Sequence, residues 1–223
     1  TSKRLSFLSL AAFSLVLIGC GQTAGEAEKV AATPAVEVPV ASNTGLAALL
    51  TNHSRTAEDR DRDAARKSAD VMEFLSITPG MSVIDVIAAG GYYTQVLSLA
   101  LDLKDSDRTE SSDGANEKAI SVQLADDRLP NVSRLNIELT GLSLAALSND
   151  AAITALNYHD IYNGFGEEAA VAALTVVFNR LKPDVVFGII DYEGVAGNDN
   201  EALHRGVKAD AIGVAEAAGF IIE

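Results

Sequence analysis

From Ser82 onward the apolar positions alternate between short extended runs and stretches with a helical period. Ser82–Ile87 (SVIDVI) is β-branched and comes after Pro79-Gly80, which predicts a strand entered from a turn. Tyr92–Leu103 puts Tyr93, Val96, Leu97, Ala100 and Leu101 on one helical face. Asn116–Leu129 reads as a helix through Ile120 and Leu124, and Arg134–Leu139 and Ala151–Asn157 read as strands. Glu167–Lys182 carries Val171, Leu174, Phe178 and Leu181 at helical spacing and is broken by Pro183. Val185–Asp191 (VVFGIID) is almost continuously apolar, the pattern of a strand covered on both faces. A last helix over Glu201–Ala218 shows Val207, Ala211, Val214 and Ala218 on one side, and Gly219–Ile222 begins another strand. Strands alternating with helices predict an α/β fold, a Rossmann-like three-layer sandwich around a mostly parallel sheet.

The N-terminal part breaks this pattern. Lys3 and Arg4 precede an uncharged run from Leu5 to Gly19, too short to span a bilayer and matching the apolar region of an export signal. It ends in Leu17-Ile18-Gly19-Cys20, which resembles the bacterial lipobox, with Cys20 as the residue that takes the lipid. The expected organisation is a signal peptide over 1–19, a flexible tether over 20–54 and an α/β domain over 55–223. The mature protein would sit on the periplasmic side of a bacterial membrane, anchored and not spanning. Gly21 to about Asn52 is rich in Ala, Val, Thr, Glu and Pro without period, as expected of a tether. Arg55–Lys67 (RTAEDRDRDAARK) offers Glu58–Arg62 and Asp63–Lys67 pairs at i,i+4 and reads as a solvated helix, docked at its C-terminal end by Val71, Phe74 and Leu75.

Charge narrows the partners. The 223 residues carry 17 Lys and Arg against 31 Asp and Glu, a net charge of −14, which disfavours nucleic acid. One Cys and three scattered His exclude a Cys-rich zinc site, a CxxC pair and a disulfide, so no metal set is expected. In an open parallel sheet the ligand crevice lies beyond the carboxyl ends of the strands. There the sequence places Asp85 with Gly90-Gly91-Tyr92-Tyr93-Thr94, then Asn157-Tyr158-His159-Asp160, then Asp191-Tyr192-Glu193-Gly194.

From about Arg60 to Glu223 the segments KSADVMEFLSITPGMSVIDV, GGYYT, LNYHDIYN, FNRLKP, GIIDYEGVAGNDNEALHR and AEAAGF together resemble the class I S-adenosylmethionine-dependent methyltransferases, and among them a group of bacterial exported methyltransferase-like proteins. The resemblance implies a seven-stranded sheet with one reversed strand and S-adenosylmethionine as cofactor. It assigns Asp85, Gly90, Gly91, Tyr92, Asn157 and Tyr158 to cofactor binding, with backbone N–H groups at a helix N-terminus facing the cofactor carboxylate. His159 and Asp160 fall at the transfer site, His159 as the base that takes a proton from a hydroxyl or amine acceptor. Ile87 and Ala89 stand where the family's loop has its first two glycines, and left-handed backbone there would cost on the order of 1 kcal/mol. Leu103–Glu117 is polar where the family has its second strand and a ribose-binding acid; Asp107, Glu110 and Asp113 are the available carboxylates. The sheet is therefore expected without its second strand and without the C-terminal hairpin. Two functions are implied: an exported, lipid-anchored methyltransferase of unassigned acceptor, or a methyltransferase-fold lipoprotein that has lost catalysis and binds a ligand or partner. No G-x-G-x-x-G comes after the first strand, as a nicotinamide oxidoreductase would need, and no G-x-S-x-G marks a hydrolase.

Overall fold

The computed structural model describes residues 3–9, 44–51, 55–101, 106–109, 121–122, 124–135 and 149–223. Its strands are β1 (Arg4–Ser9), β2 (Val83–Asp85), β3 (Ser106–Thr109), β4 (Val132–Leu135), β5 (Asn149–Ala155), β6 (Leu181–Asp191) and β7 (Ile221–Ile222). Its helices are α1 (Thr44–Leu50), α2 (Ala57–Arg66), α3 (Ser68–Phe74), α4 (Tyr92–Leu101), α5 (Tyr158–Phe165), α6 (Glu167–Arg180) and α7 (Lys208–Ala217). The strands form one sheet in the order β4-β3-β2-β5-β6-β1-β7, and every pairing in it is parallel. The α/β sandwich expected from the alternation is thus present.

The pleat sorts neighbouring residues to opposite faces. Ile84, Ala152, Phe187 and Ile189 join one core with Ala170, Leu174 and Val177 of α6 and Val214 of α7. Val83, Ile153 and Ile190 join the other with Met72 of α3, Val96 and Leu97 of α4, and Leu46 and Leu50 of α1. β6 serves both cores, which is why its sequence shows no polar alternation. Gly188 in β6 lies under Leu75, and a Cβ there would be 2.6 Å from Leu75 Cδ1. Gly188→Val should therefore cost about 1–3 kcal/mol by overpacking, read as a lower urea midpoint; an unchanged midpoint would show that Leu75 swings aside freely.

Several expectations are corrected. Residues 1–19 were expected outside the domain, but Arg4–Ser9 pairs with Val186–Asp191 of β6 and reaches β7, with Leu5 fully buried. Lys3 donates to the Phe178 carbonyl and lies over its ring, 4.1 Å from the centroid. An apolar run reads as an address only while no sheet edge is open to it. The reversed strand that the resemblance implied is not found in the described sheet: every pairing, that of β1 with β6 included, is parallel. The missing second strand is also corrected: β3, Ser-Asp-Arg-Thr, lies between β2 and β4, and backbone pairing on both sides holds it without an apolar sequence. Within the stretch read as a tether, α1 buries Leu46 and Leu50, spaced i,i+4, against α4. Phe74 is half exposed, and Met72 takes the core position in its stead.

The helix read over 55–67 runs from Ala57 to Arg66, with Thr56 accepting the Asp59 N–H at 3.1 Å as N-cap. Lys67, in a left-handed conformation at φ +47°, separates it from α3. Asp63 does not pair with Lys67. It takes a two-pronged hydrogen bond from Arg55 at 2.6 and 2.7 Å. Cys20, Glu110 and Asp113 lie outside the described residues, and among those described no helix is long and apolar enough to cross a membrane.

Candidate functional site

The loop between β2 and α4 leaves the sheet at Asp85, which is buried and accepts the Thr94 hydroxyl at 2.6 Å. The next backbone alternates sign: Ile87 sits at φ +56°, Ala89 at φ +46° and Gly91 at φ +80°. Ile87 and Ala89 thus hold the left-handed conformation that glycine adopts without penalty, as expected from the sequence. Gly90 is not required by space, since a Cβ there would meet nothing within 4 Å. Gly91 accepts the Gln95 N–H at 3.0 Å and opens α4. Asn157 locks the loop after β5 to this one by donating to the Ile87 and Ala155 carbonyls, each at 2.7 Å.

Two adjoining cavities lie at this end of the sheet. The first, about 100 Å³, is lined by Asp85, the Ile87–Gly90 loop, Asn157 and the arginines Arg62 and Arg66 of α2. The second, about 200 Å³, lies between Arg62, Arg66, Leu156, Ile190 and Tyr192. Arg62 and Arg66 are one turn apart on α2 and border both. Arg62 donates through Nη2 to Asp59, and its Nε–H is buried without a hydrogen-bond partner among the described residues. The residues fit the amino-acid end of S-adenosylmethionine: two guanidiniums for the carboxylate, over a loop whose backbone turns as a glycine loop does. They were missed because a charged stretch at helical spacing reads as a solvated face; the signal was their one-turn spacing.

Of the two tyrosines that the resemblance assigned to the cofactor, Tyr92 lines the first cavity and Tyr158 borders neither. Tyr92 is buried under α2, donating to Asp63 at 2.6 Å and hydrogen-bonded to Ser68. The guanidiniums of Arg55, Arg62 and Arg66 lie 5.7, 4.8 and 4.6 Å from its ring centroid, so its π faces already serve cations of the protein. Burial and the Asp63 carboxylate push its hydroxyl up from the ordinary value. Tyr158 points into the core, stacked near Tyr162 at 6.1 Å, and its hydroxyl finds no partner among the described residues. Burial pushes its pKa well up. Both rings therefore anchor the loops that carry them.

His159 and Asp160 border neither cavity. His159 is buried at the start of α5, where its backbone N–H donates to Asp191 Oδ2 at 3.0 Å and its Nδ1 lies 2.8 Å from Asp191 Oδ1. Burial alone would lower the imidazole pKa; the Asp191 hydrogen bond and the charges of Asp191 and Asp160 outweigh it and hold the pKa above its ordinary value. The other ring nitrogen, Nε2, is 3.2 Å from Asp160 Oδ1, and His204 Nδ1 approaches the same oxygen at 3.5 Å. The sequence places Asp191, at the carboxyl end of β6, in the crevice, but its link to His159, like that of His204, leaves no mark in the spacing.

No protein-family model matches the chain, and no curated protein matches it in sequence. Solved structures do. An S-adenosylmethionine-dependent methyltransferase from Aquifex aeolicus superimposes with a TM-score of 0.59 at 18% identity, covering 80% of this chain and 88% of the other. The [4+2]-cyclase SpnF gives a TM-score of 0.58 at 17% identity, over 75% of this chain and 60% of that one. The YcgJ protein of Bacillus subtilis gives 0.55 at 14% identity, over 69% of this chain and 67% of its own. At such identities the likeness is one of backbone architecture, and the architecture of this chain is the class I S-adenosylmethionine-dependent methyltransferase fold.

Proposed function

We propose that the protein binds S-adenosylmethionine in the crevice between α2 and the loop after β2, and transfers its methyl group to an acceptor seated in the cavity bordered by Leu156, Ile190 and Tyr192. The observation that carries this is the pair of guanidinium side chains, Arg62 and Arg66, lining one cavity with Asp85 and a loop that keeps a left-handed turn at residues 87 and 89. When bound, the cofactor supplies an electrophilic methyl on sulfur. The chain supplies position: Arg62 and Arg66 take the carboxylate, and Asn157 fixes the loop that separates the two cavities. Methyl transfer needs in-line placement of two reactants above all.

Calorimetric titration of S-adenosylmethionine and S-adenosylhomocysteine into the full chain should give a dissociation constant in the micromolar range, about −8 kcal/mol. Arg62→Ala should weaken it roughly tenfold, as loss of a charged hydrogen bond implies, and Gly91→Val, at φ +80°, should weaken it further. No heat and no thermal shift at millimolar ligand, from folded protein, would sink this reading.

The specific observation for a second reading is the side chains on left-handed backbone at Ile87 and Ala89, which narrow the loop. If the wild type is silent while Ile87→Gly/Ala89→Gly binds, the chain is a binding module on an inherited fold. Export and a lipid on Cys20 belong to the same proposal and rest on Leu17-Ile18-Gly19-Cys20. Mass spectrometry of the membrane fraction should find a lipidated Cys20, absent after Cys20→Ala; an unmodified N-terminal segment would refute the anchor.

A further inference from the structure

His159, Asp160 and His204 bring three donor atoms within 4.8 Å of one another on α5 and the segment before α7. The Asp191 carboxylate only accepts hydrogen bonds when ionised, so His159 donates Nδ1–H to it and turns Nε2 toward Asp160. In a neutral imidazole that Nε2 carries a lone pair, set 3.2 Å from a carboxylate oxygen that also carries lone pairs. The same oxygen meets a second ring nitrogen, His204 Nδ1, at 3.5 Å. The three donor atoms thus stand close enough for one ion, or for protons, to lie between them.

Two of the three separations match those of ligands on one metal ion. Bonds of about 2.0–2.2 Å in a tetrahedral shell put neighbouring ligand atoms roughly 3.4 Å apart. The observed 3.2 and 3.5 Å lie on either side of that value. Two imidazoles and one carboxylate suit a first-row transition ion and not the all-oxygen shells of magnesium or calcium. The Asp191–His159 hydrogen bond is the carboxylate partner that metal-bound histidines use to fix their tautomer. Asn163 of α5 donates to the Arg205 carbonyl at 3.0 Å, tying the segment that carries His204 to the helix that carries the other two ligands. His159 is buried while Asp160 and His204 are exposed, so the fourth position opens to solvent.

We propose that His159, Asp160 and His204 bind a divalent first-row transition ion, zinc being the natural one for this donor set, with Asp191 as the positioning residue. The site keeps an open coordination position, which an anionic oxygen of a ligand can take. It does not depend on cofactor binding, since none of its members borders the crevice.

The test uses the full chain stripped with chelator and titrated at fixed neutral pH with zinc chloride, then with cobalt chloride followed by its visible d–d bands. One ion per chain at micromolar affinity or tighter is expected, with cobalt bands of a tetrahedral N,O site. Asp160→Asn and His204→Ala, both at exposed positions that leave the core intact, should weaken binding at least tenfold. Asp191→Asn should weaken it tenfold to a hundredfold while keeping the one-to-one stoichiometry. His53→Ala removes the remaining imidazole of the sequence and should change nothing. Absence of binding by folded protein, or binding insensitive to both Asp160→Asn and His204→Ala, or lost with His53→Ala, would overturn the proposal. Titration of S-adenosylmethionine into the same variants keeps the two sites apart: failure there leaves the metal result standing, and the reverse.

Discussion

Arg55→Ala should lower the unfolding free energy by about 3 kcal/mol, toward the lower end of what breaking a buried ion pair costs because Asp63 keeps some solvent contact. The Arg55 side chain is fully buried and has four partners: both oxygens of Asp63, the Leu50 carbonyl at 2.9 Å and Gln95 Oε1 at 2.7 Å. It thereby clamps α1, α2 and α4 together, and truncation takes the donor from the Leu50 carbonyl and Gln95 Oε1 while Asp63 keeps the Tyr92 hydroxyl. The pair also sets an acid limit. Burial alone would raise the Asp63 carboxyl, but hydrogen bonds from Arg55 and Tyr92 and the Arg55 charge more than reverse this and hold it below its ordinary value. A carboxyl depressed in the folded state contributes stability that is fully present above its unfolded pKa near 3.9 and is lost as pH falls through the folded value. Urea unfolding of the wild type should therefore weaken steeply below about pH 4, and Asp63→Asn should flatten that limb. An equally steep limb in the variant would show that other carboxylates govern acid unfolding.

The second large effect concerns residues 1–19. A chain that starts at Gly21 lacks β1, and with it the neighbour that separates β6 from β7. It loses the burial of Leu5, worth about 1.5–3 kcal/mol, and ladder hydrogen bonds at roughly 0.5–1.5 kcal/mol each. The Ile221 N–H bond to Lys3 and the Glu223 N–H bond to Leu5 go with it. A loss of about 3–5 kcal/mol at 2–4 °C per kcal/mol lowers the melting temperature by roughly 10 °C. A peptide spanning residues 1–10, added in trans, should restore part of it. Equal melting temperatures for the two forms would mean that β1 contributes nothing to the fold. The comparison measures what β1 adds to the fold.

The same residues show where sequence reasoning stops. Strands such as Val185–Asp191 and helices such as Glu167–Arg180 were legible because burial stamps a period on their side chains. β3 was not, because Ser-Asp-Arg-Thr is held by backbone pairing from β2 and β4, and backbone bonds leave no mark on residue type. β1 was read as an address because its apolar run has the composition of one; only the open place beside β6 distinguishes the two roles. Asp85, Gly90, Tyr92 and Asn157, named from their place after the strands, line the first cavity together with Ile87 and Ala89. The link of Asp191 and His204 to His159 was not legible because it is purely spatial. The convergence of three arginines on the Tyr92 ring was not legible either, since each is unremarkable alone.

The sheet order also determines when the fold can be completed. β1 is the first strand to leave the ribosome, yet its partners are β6 and β7, the last two. At synthesis rates of roughly 5–20 residues per second, the segment spends on the order of ten seconds or more exposed, while β2 to β5 can already pair among themselves. Contacts of such sequence separation carry a high closure entropy and form slowly. Refolding should accordingly show assembly of the β2–β5 half ahead of the β6–β1–β7 edge. During that interval the N-terminal run is free to be captured by whatever machinery meets a nascent apolar segment first.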